Sequence, residues 1–210
     1  AHIYVDRVFS VNGIGTTITG TLRGAEIKEN DTLTLFPGNQ PVKVRSLQRY
    51  HSQVDIAEPY SRTAVGLKQV NKKSVSRGSC LVANPDAITM STDWVVQLDP
   101  QFSGALKKQG VVEIALGTSH TQAKCFVYAD GQLARLQLNE AIPAFWGPPM
   151  LIIQQSGSRI IGSGKVAWLH PLNPKLRNLL QEALTTINIK SADLESKIAL
   201  EIQLNGYTLR

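Results

Sequence analysis

Glycine-rich stretches are the first residues to examine for chemistry, because such loops let backbone N–H groups close around phosphate. Gly157-Ser-Arg-Ile-Ile-Gly162-Ser-Gly164-Lys165 has the outline of a nucleotide phosphate loop. It fails in detail. Ser163 stands where the lysine is needed, and Val166 follows Lys165 where a Ser or Thr should ligate magnesium. The continuation Val166–Leu169 reads as a strand and not a helix. Asn12-Gly13-Ile14-Gly15 lacks the third glycine of a dinucleotide fingerprint, and no helical pattern follows it. No cofactor-binding residue is assigned. His2, His51, His120 and His170 show no metal-ligand spacing, so no metal site is assigned either. Cys80 and Cys125 each lie in an apolar stretch and read as buried thiols rather than a disulfide or a ligand pair. No nucleophile elbow supports a Ser–His–Asp set, so no catalytic residue is assigned and an independent hydrolase is disfavoured. The chain does offer cations. Lys68, Lys72, Lys73 and Arg77 gather around Asn71, as contacts for nucleic-acid phosphates or as a solvated basic hairpin. A net charge of +6 and a pI near 9.4 favour an anionic partner such as RNA, DNA or an acidic membrane surface.

The elements that must carry these residues are mostly strands. In a chain of 210 residues, the first 85 or so read as short β segments broken by turn signals. These are Tyr4–Ser10, Gly15–Leu22, Asp31–Phe36, Gln40–Leu47, Thr63–Leu67 and Ser79–Ala83, with Val42, Val44 and Leu47 as core positions. Asn84-Pro85-Asp86 is a break. A second β-rich block follows: Asp93–Leu98, Gly110–Leu116, Ala123–Tyr128, Leu133–Leu138, Leu151–Gln155 and Val166–Leu169. Two consecutive small β-barrels are expected, 1–86 and 87–170. Trp94, Trp146 and Trp168 read as core or rim residues rather than base-stacking platforms. After His170-Pro171 the period changes. Leu176, Leu179, Leu180, Ala183, Leu184 and Ile187 lie on one helical face, behind an Asn173 cap and Pro174. A second helix is expected from Ser191, with Leu194, Ile198 and Ile202 on one face and Asn205-Gly206 at its end. Residues 171–210 thus read as the truncated start of a helical module. The opening Ala-His-Ile-Tyr-Val-Asp has no basic or apolar leader and no Met, so the expectation is a piece of a longer chain without a signal peptide. No run of about 18 apolar residues predicts a transmembrane helix.

Residues 3–22 carry a resemblance. Ile3-Tyr-Val-Asp6-Arg7-Val8-Phe9, with Gly13-Ile-Gly15-Thr and Thr19-Gly20-Thr21, resembles the opening of the second domain of translational GTPases. It looks most like the bacterial selenocysteine-specific elongation factors, the SelB family. Glu26–Leu33, Val42–Gln48 with His51, Arg62–Leu67 and Ser76–Leu81 continue the likeness through the first barrel. Leu116–Ser119 and Ile160–Val166 resemble third-domain segments, and the helical end resembles the start of the family's C-terminal winged-helix region. Two positions depart from the pattern. Asn30 replaces a usual glycine and tolerates a left-handed backbone. Tyr60 replaces another and is poor at positive φ, which predicts a loop of changed shape before Arg62.

The resemblance implies a translation-factor domain II-like barrel, a domain III-like barrel and a short helical segment. It implies a cytoplasmic, monomeric, tRNA-binding protein whose missing GTPase domain carries GTP and magnesium. The partners it implies are selenocysteinyl-tRNA, the ribosome and, through a missing C-terminal part, a selenoprotein mRNA hairpin; no membrane is involved. Carried over by position, Asp6, Arg7 and Arg62 would hold the selenocysteinyl moiety, with Asp6 orienting Arg7. Two guanidiniums favour a selenolate over a neutral serine, because charge-assisted bonds are the stronger ones. Read without the resemblance, the same residues make an ordinary strand-end ion pair. Lys68, Lys72, Lys73 and Arg77 would then meet the phosphates of the tRNA acceptor arm. The alternatives are the barrel pair of a general elongation or initiation factor, and a β-barrel interaction module with no RNA role.

Overall fold

The computed structural model describes residues 1–102, 106, 108–157, 159–187, 189, 198 and 200. They form two compact units, Ala1–Ile88 with Gly117–Ser119, and Thr89–Leu116 with the chain from His120 onward. Each unit is built on a closed six-stranded β-barrel.

The first unit contains β1 (His2–Tyr4), β2 (Arg7–Val11), β3 (Gly15–Arg23), β4 (Ile27–Lys28), β5 (Thr32–Phe36), β6 (Gln40–Arg49), β7 (Ser52–Val54), β8 (Ile56–Ala57), β9 (Ser61–Lys68) and β10 (Cys80–Val82). The ring runs β1, β10, β5, β6, β9, β3 and closes where β3 pairs with β1. The stretch expected as one strand from Tyr4 to Ser10 is interrupted at Val5 and Asp6. The cause is a change of partner. Val5 exchanges backbone hydrogen bonds with Gly78 and Ser79, while the Asp6 N–H donates to the Thr19 carbonyl at 2.8 Å. Gly20 permits the closure: a Cβ there would collide with the Tyr4 carbonyl.

Val42, Val44 and Leu47 are all buried, as their pattern predicts. Their spacing breaks the period of two because β6 carries a bulge. Val44 pairs with Leu67 and Ser46 with Gly66, so Arg45 is the extra residue without a partner. Asn30 and Tyr60 both take a left-handed backbone, at φ 71° and 61°. The Tyr60 loop therefore keeps the conformation that its sequence argues against, and its N–H donates to the Leu22 carbonyl at 2.7 Å.

The second unit contains β11 (Thr89–Leu98), β12 (Gln109–Leu116), β13 (Ser119–Tyr128), β14 (Leu133–Ala144), β15 (Pro149–Gln154), β16 (Ile160–Trp168) and α1 (Pro174–Thr186). The barrel order is β11, β14, β13, β12, β15, β16. Gly162 and Gly164 of the false phosphate loop lie inside β16, which starts earlier than the expected Val166–Leu169, and Gly157 lies in the turn before it. Gly164 is needed there, since a Cβ would meet the Gln97 carbonyl of β11. Trp94 is fully buried and its Nε1 donates to the Ser91 carbonyl at 3.1 Å.

Helix α1 starts as its sequence predicts, with the Asn173 side chain accepting from the Leu176 N–H at 2.8 Å. Leu180, Ala183 and Leu184 pack on Val95, Leu133 and Ala167 of the barrel, with Trp146 and Trp168 at the edge of the same cluster. The second helix expected from Ser191, with Leu194, Ile202 and Asn205-Gly206, lies outside the described residues; Ile198 and Leu200 are described and both are helical. Among the described residues no helix is long and apolar enough to cross a membrane.

Candidate substrate-recognition site on the first barrel

The change of strand partner at Asp6 fixes the site. Because its backbone is pinned to Thr19, the Asp6 side chain lies over the start of β2 and next to β3. Its carboxylate accepts a short hydrogen bond from the Thr19 hydroxyl. It also accepts from Nη2 of Arg62, at 3.0 Å to one oxygen and 3.2 Å to the other. One nitrogen serves both oxygens, and among the described residues the remaining N–H groups of Arg62 have no partner. The Asp6 side chain is 27% exposed and that of Arg62 is 55% exposed. An ion pair this open contributes on the order of 1 kcal/mol or less to the fold.

Strand register places Arg7 on the same face. Arg7 lies opposite Thr19 in β3, and Arg62 lies opposite Thr21 two residues further on. Residues two apart share a face of the sheet, so both guanidiniums and the Asp6 carboxylate belong to one outer surface. Two strand spacings and two residues separate the arginine Cα atoms by roughly 12 Å, a span that two extended arginines can close over a small ligand. Among the described residues Arg7 has no ion-pair or hydrogen-bond partner. The partnership expected between Asp6 and Arg7 is therefore not the one formed: Asp6 orients Arg62 instead.

The surroundings of Arg62 are strained. Tyr50 and His51 form the two-residue turn between β6 and β7, with φ 49° and 68°. Such a turn favours Asn-Gly, and bulky residues at positive φ are costly. The turn follows directly on the Arg49–Thr63 pair, which sets it beside Arg62. Arg49 bonds Glu58 at 2.8 Å and lies 5.8 Å from the Tyr50 ring centre. Phe9, 36% exposed, lies two residues beyond Arg7 on the same face. Sequence reasoning gave no role to Thr19, Phe9, Tyr50 or His51. The signal for the last two was a β turn without the glycine or asparagine it calls for.

The four basic residues near Asn71 divide into two groups. Lys72 and Lys73 open a single 3₁₀ turn capped by the Asn71 side chain, and that turn lies against β2. Arg77 directly precedes Gly78, whose N–H donates to the Val5 carbonyl at 3.0 Å. Lys68 stands at the far end of β9, six residues and roughly 20 Å from Arg62, with its Nζ on the Asn30 side chain at 3.0 Å. The segment joins β9 to β10, which do not pair with each other, so it is not a hairpin.

No protein-family model matches the chain. A selenocysteine-specific elongation factor from Desulfomicrobium baculatum is 25% identical over 211 residues, covering 96% of this chain and 33% of its own length. The Escherichia coli factor of the same name is 25% identical and covers 81% of the chain. The chain aligns with selenocysteine-specific elongation factors along nearly its whole length. It spans 33% and 27% of those two factors' own length. By contrast, elongation factor 1-alpha from Saccharolobus solfataricus matches over 85 residues, or 40% of the chain, at 30% identity. The crystal structure of bacterial selenocysteine-specific elongation factor EF-Sec superposes with a TM-score of 0.79 over 97% of the chain, at 23% identity. The apo form of SelB from Methanococcus maripaludis gives 0.71 over 81%. These likenesses establish the two-barrel fold.

Proposed function

We propose that this chain is the aminoacyl-tRNA-binding portion of a selenocysteine-specific elongation factor. The observation that carries the reading is the extent of the alignment. The Desulfomicrobium baculatum and Escherichia coli factors of that name align over 96% and 81% of the chain, whereas the elongation factor 1-alpha matches cover 40–46% of it and the Methanocaldococcus jannaschii selenocysteine-specific factor 39%. The complete factor would deliver selenocysteinyl-tRNA to the ribosome, with GTP and magnesium held by a GTPase domain outside these residues. It would read the mRNA hairpin through a further C-terminal part. Hydrolysis is not the work of this portion.

Arg7, Arg62 and Asp6 would recognise the selenocysteinyl side chain. Two guanidiniums and one carboxylate leave one net positive charge, and Arg7 contributes it unopposed. A selenol is more acidic than a thiol and enters as an anion, while serine on the same tRNA is neutral. An anion about 4 Å from a guanidinium gains roughly 1 kcal/mol in water and about 4 kcal/mol near a protein surface. Asp6, itself held by the Thr19 hydroxyl, keeps Arg62 in place, and the carboxylate discourages indiscriminate anion binding. The strained turn at Tyr50 and His51 supports the placement, since such backbone collects at functional sites.

The test is binding of selenocysteinyl- and seryl-tRNA by the complete factor. Arg7→Ala is expected to reduce the preference for selenocysteine by about 10- to 100-fold. Arg62→Ala is expected to reduce it further, because it also leaves the Asp6 charge uncompensated beside the incoming anion. Normal discrimination in both variants would show that the pocket lies elsewhere.

A further inference from the structure

Away from Arg62, the first barrel carries a wide groove of about 830 Å³ lined by Thr32, Gln40, Lys43, Arg45, Lys68 and Gln69, among others. Three features set it apart from an ordinary solvated surface. Lys43 and Lys68 lie directly opposite each other on β6 and β9, a like-charge cross-strand pair that costs stability. Arg45 is the unpaired residue of the β6 bulge, and bulges re-aim side chains and gather near binding sites. None of the three cations forms a salt bridge among the described residues. Lys68 donates to the neutral Asn30 side chain at 3.0 Å, and Arg45 to the Ile14 carbonyl at 3.2 Å.

No residue lining the groove is acidic. The carboxylate nearest in sequence, Asp31, is turned into its own loop, where it accepts from the Lys28 N–H at 2.7 Å. Thr32, Gln40 and Gln69 add neutral donors. A like-charge pair kept in register, with a third cation beside it and no counter-charge, is the arrangement that an anionic ligand completes.

We propose that Lys43, Arg45 and Lys68 form a binding groove for the phosphodiester backbone of RNA, separate from the amino-acid site. The groove is too large for one phosphate and suits several consecutive ones. No aromatic ring lines it, so it offers cations for backbone phosphates and no platform for bases. Its distance from Arg62, roughly 20 Å along β9, means that it grips a different stretch of RNA from the aminoacyl end. The choice of RNA rests on the translation-factor reading. The site itself does not depend on selenocysteine.

The experiment measures binding of the 210-residue chain to fluorescently labelled, uncharged bulk tRNA between 50 and 200 mM salt. The comparison is the triple variant Lys43→Gln/Arg45→Gln/Lys68→Gln. Three phosphate contacts predict a salt slope smaller by about 2–3 in the variant, so the native chain loses roughly 20–40-fold more affinity across that range. A second variant, Lys43→Glu, places an acid opposite Lys68. It is expected to weaken tRNA binding while its Tm stays level or rises, which separates lost contacts from lost folding. Unchanged affinity and slope in the triple variant would overturn the proposal. So would inorganic pyrophosphate displacing tRNA at an equal concentration of phosphate, which would mark a small-anion site. In the complete factor, the triple variant is expected to keep its preference for selenocysteinyl- over seryl-tRNA. Loss of that preference would mean that the groove is not separate from the Arg62 site. Failure of the Arg7 and Arg62 variants alone would leave the groove standing.

Discussion

Asp6 is held by its backbone to Thr19, by the Thr19 hydroxyl and by Arg62, a residue 56 positions later in the chain. No local sequence pattern announces such a pair; it exists because β2, β3 and β9 are neighbours in one sheet. Family resemblance named Asp6, Arg7 and Arg62 together and had Asp6 orient Arg7, whereas the carboxylate bonds Arg62. Burial acts on another residue of the same region. It holds the imidazole of His2 down to about 4, aided by Arg23, against an ordinary value of 6.5. The folded state therefore binds fewer protons than the unfolded chain between those values, and stability must rise with pH across that window. The urea midpoint is expected to fall as pH falls from about 6.5 towards 4. His2→Gln, which does not titrate, should flatten this part of the profile; an unchanged profile would assign the dependence to other groups.

Most strands were legible as elements, because alternation and turn residues report a barrel wall directly. What escaped were the irregularities that long-range pairing imposes: the break at Val5–Asp6, the bulge at Arg45, and the extension of β16 through Gly162 and Gly164. Each depends on a partner strand that the local sequence does not contain. The attachment of α1 is of the same kind. The helix ends without a glycine, and its orphaned carbonyls are met by a barrel residue. The Gln97 side chain donates to the Leu184 and Ile187 carbonyls at 2.8 and 2.7 Å and accepts from the Ile189 N–H at 2.8 Å. Lys165 adds a bond to the Ile189 carbonyl. Gln97→Leu keeps the volume and removes all three of its bonds. Given about 1 kcal/mol for each bond, a loss of roughly 2–3 kcal/mol is expected in denaturant unfolding. Hydrogen exchange at Leu184 to Ile189 should accelerate more than exchange in the strands, and a uniform change would mean that Gln97 does not act as the helix clamp.

At the scale of the whole molecule, two barrels with separate cores present cations on outer surfaces and, among the described residues, no glycine loop placed before a helix. Most of the one stretch resembling a phosphate loop, from Ile160 onward, belongs to β16, where Gly164 permits close packing on β11 and the backbone pairs with β11 and β15. An N–H committed to a neighbouring strand is not available to a nucleotide phosphate. The division of labour proposed above, with nucleotide binding outside these residues, then has a direct thermodynamic consequence. A ligand that binds only the folded chain raises its stability by mass action, by about 2.7 kcal/mol when present at 100 times its Kd. For a chain of this size that amounts to a Tm increase of roughly 5–10 °C. Magnesium-GTP at 1 mM is expected to leave the unfolding temperature of this chain unmoved. Bulk tRNA at low salt is expected to raise it, and to do so less as salt increases. A rise with magnesium-GTP would show a nucleotide site within the two barrels and would overturn the division.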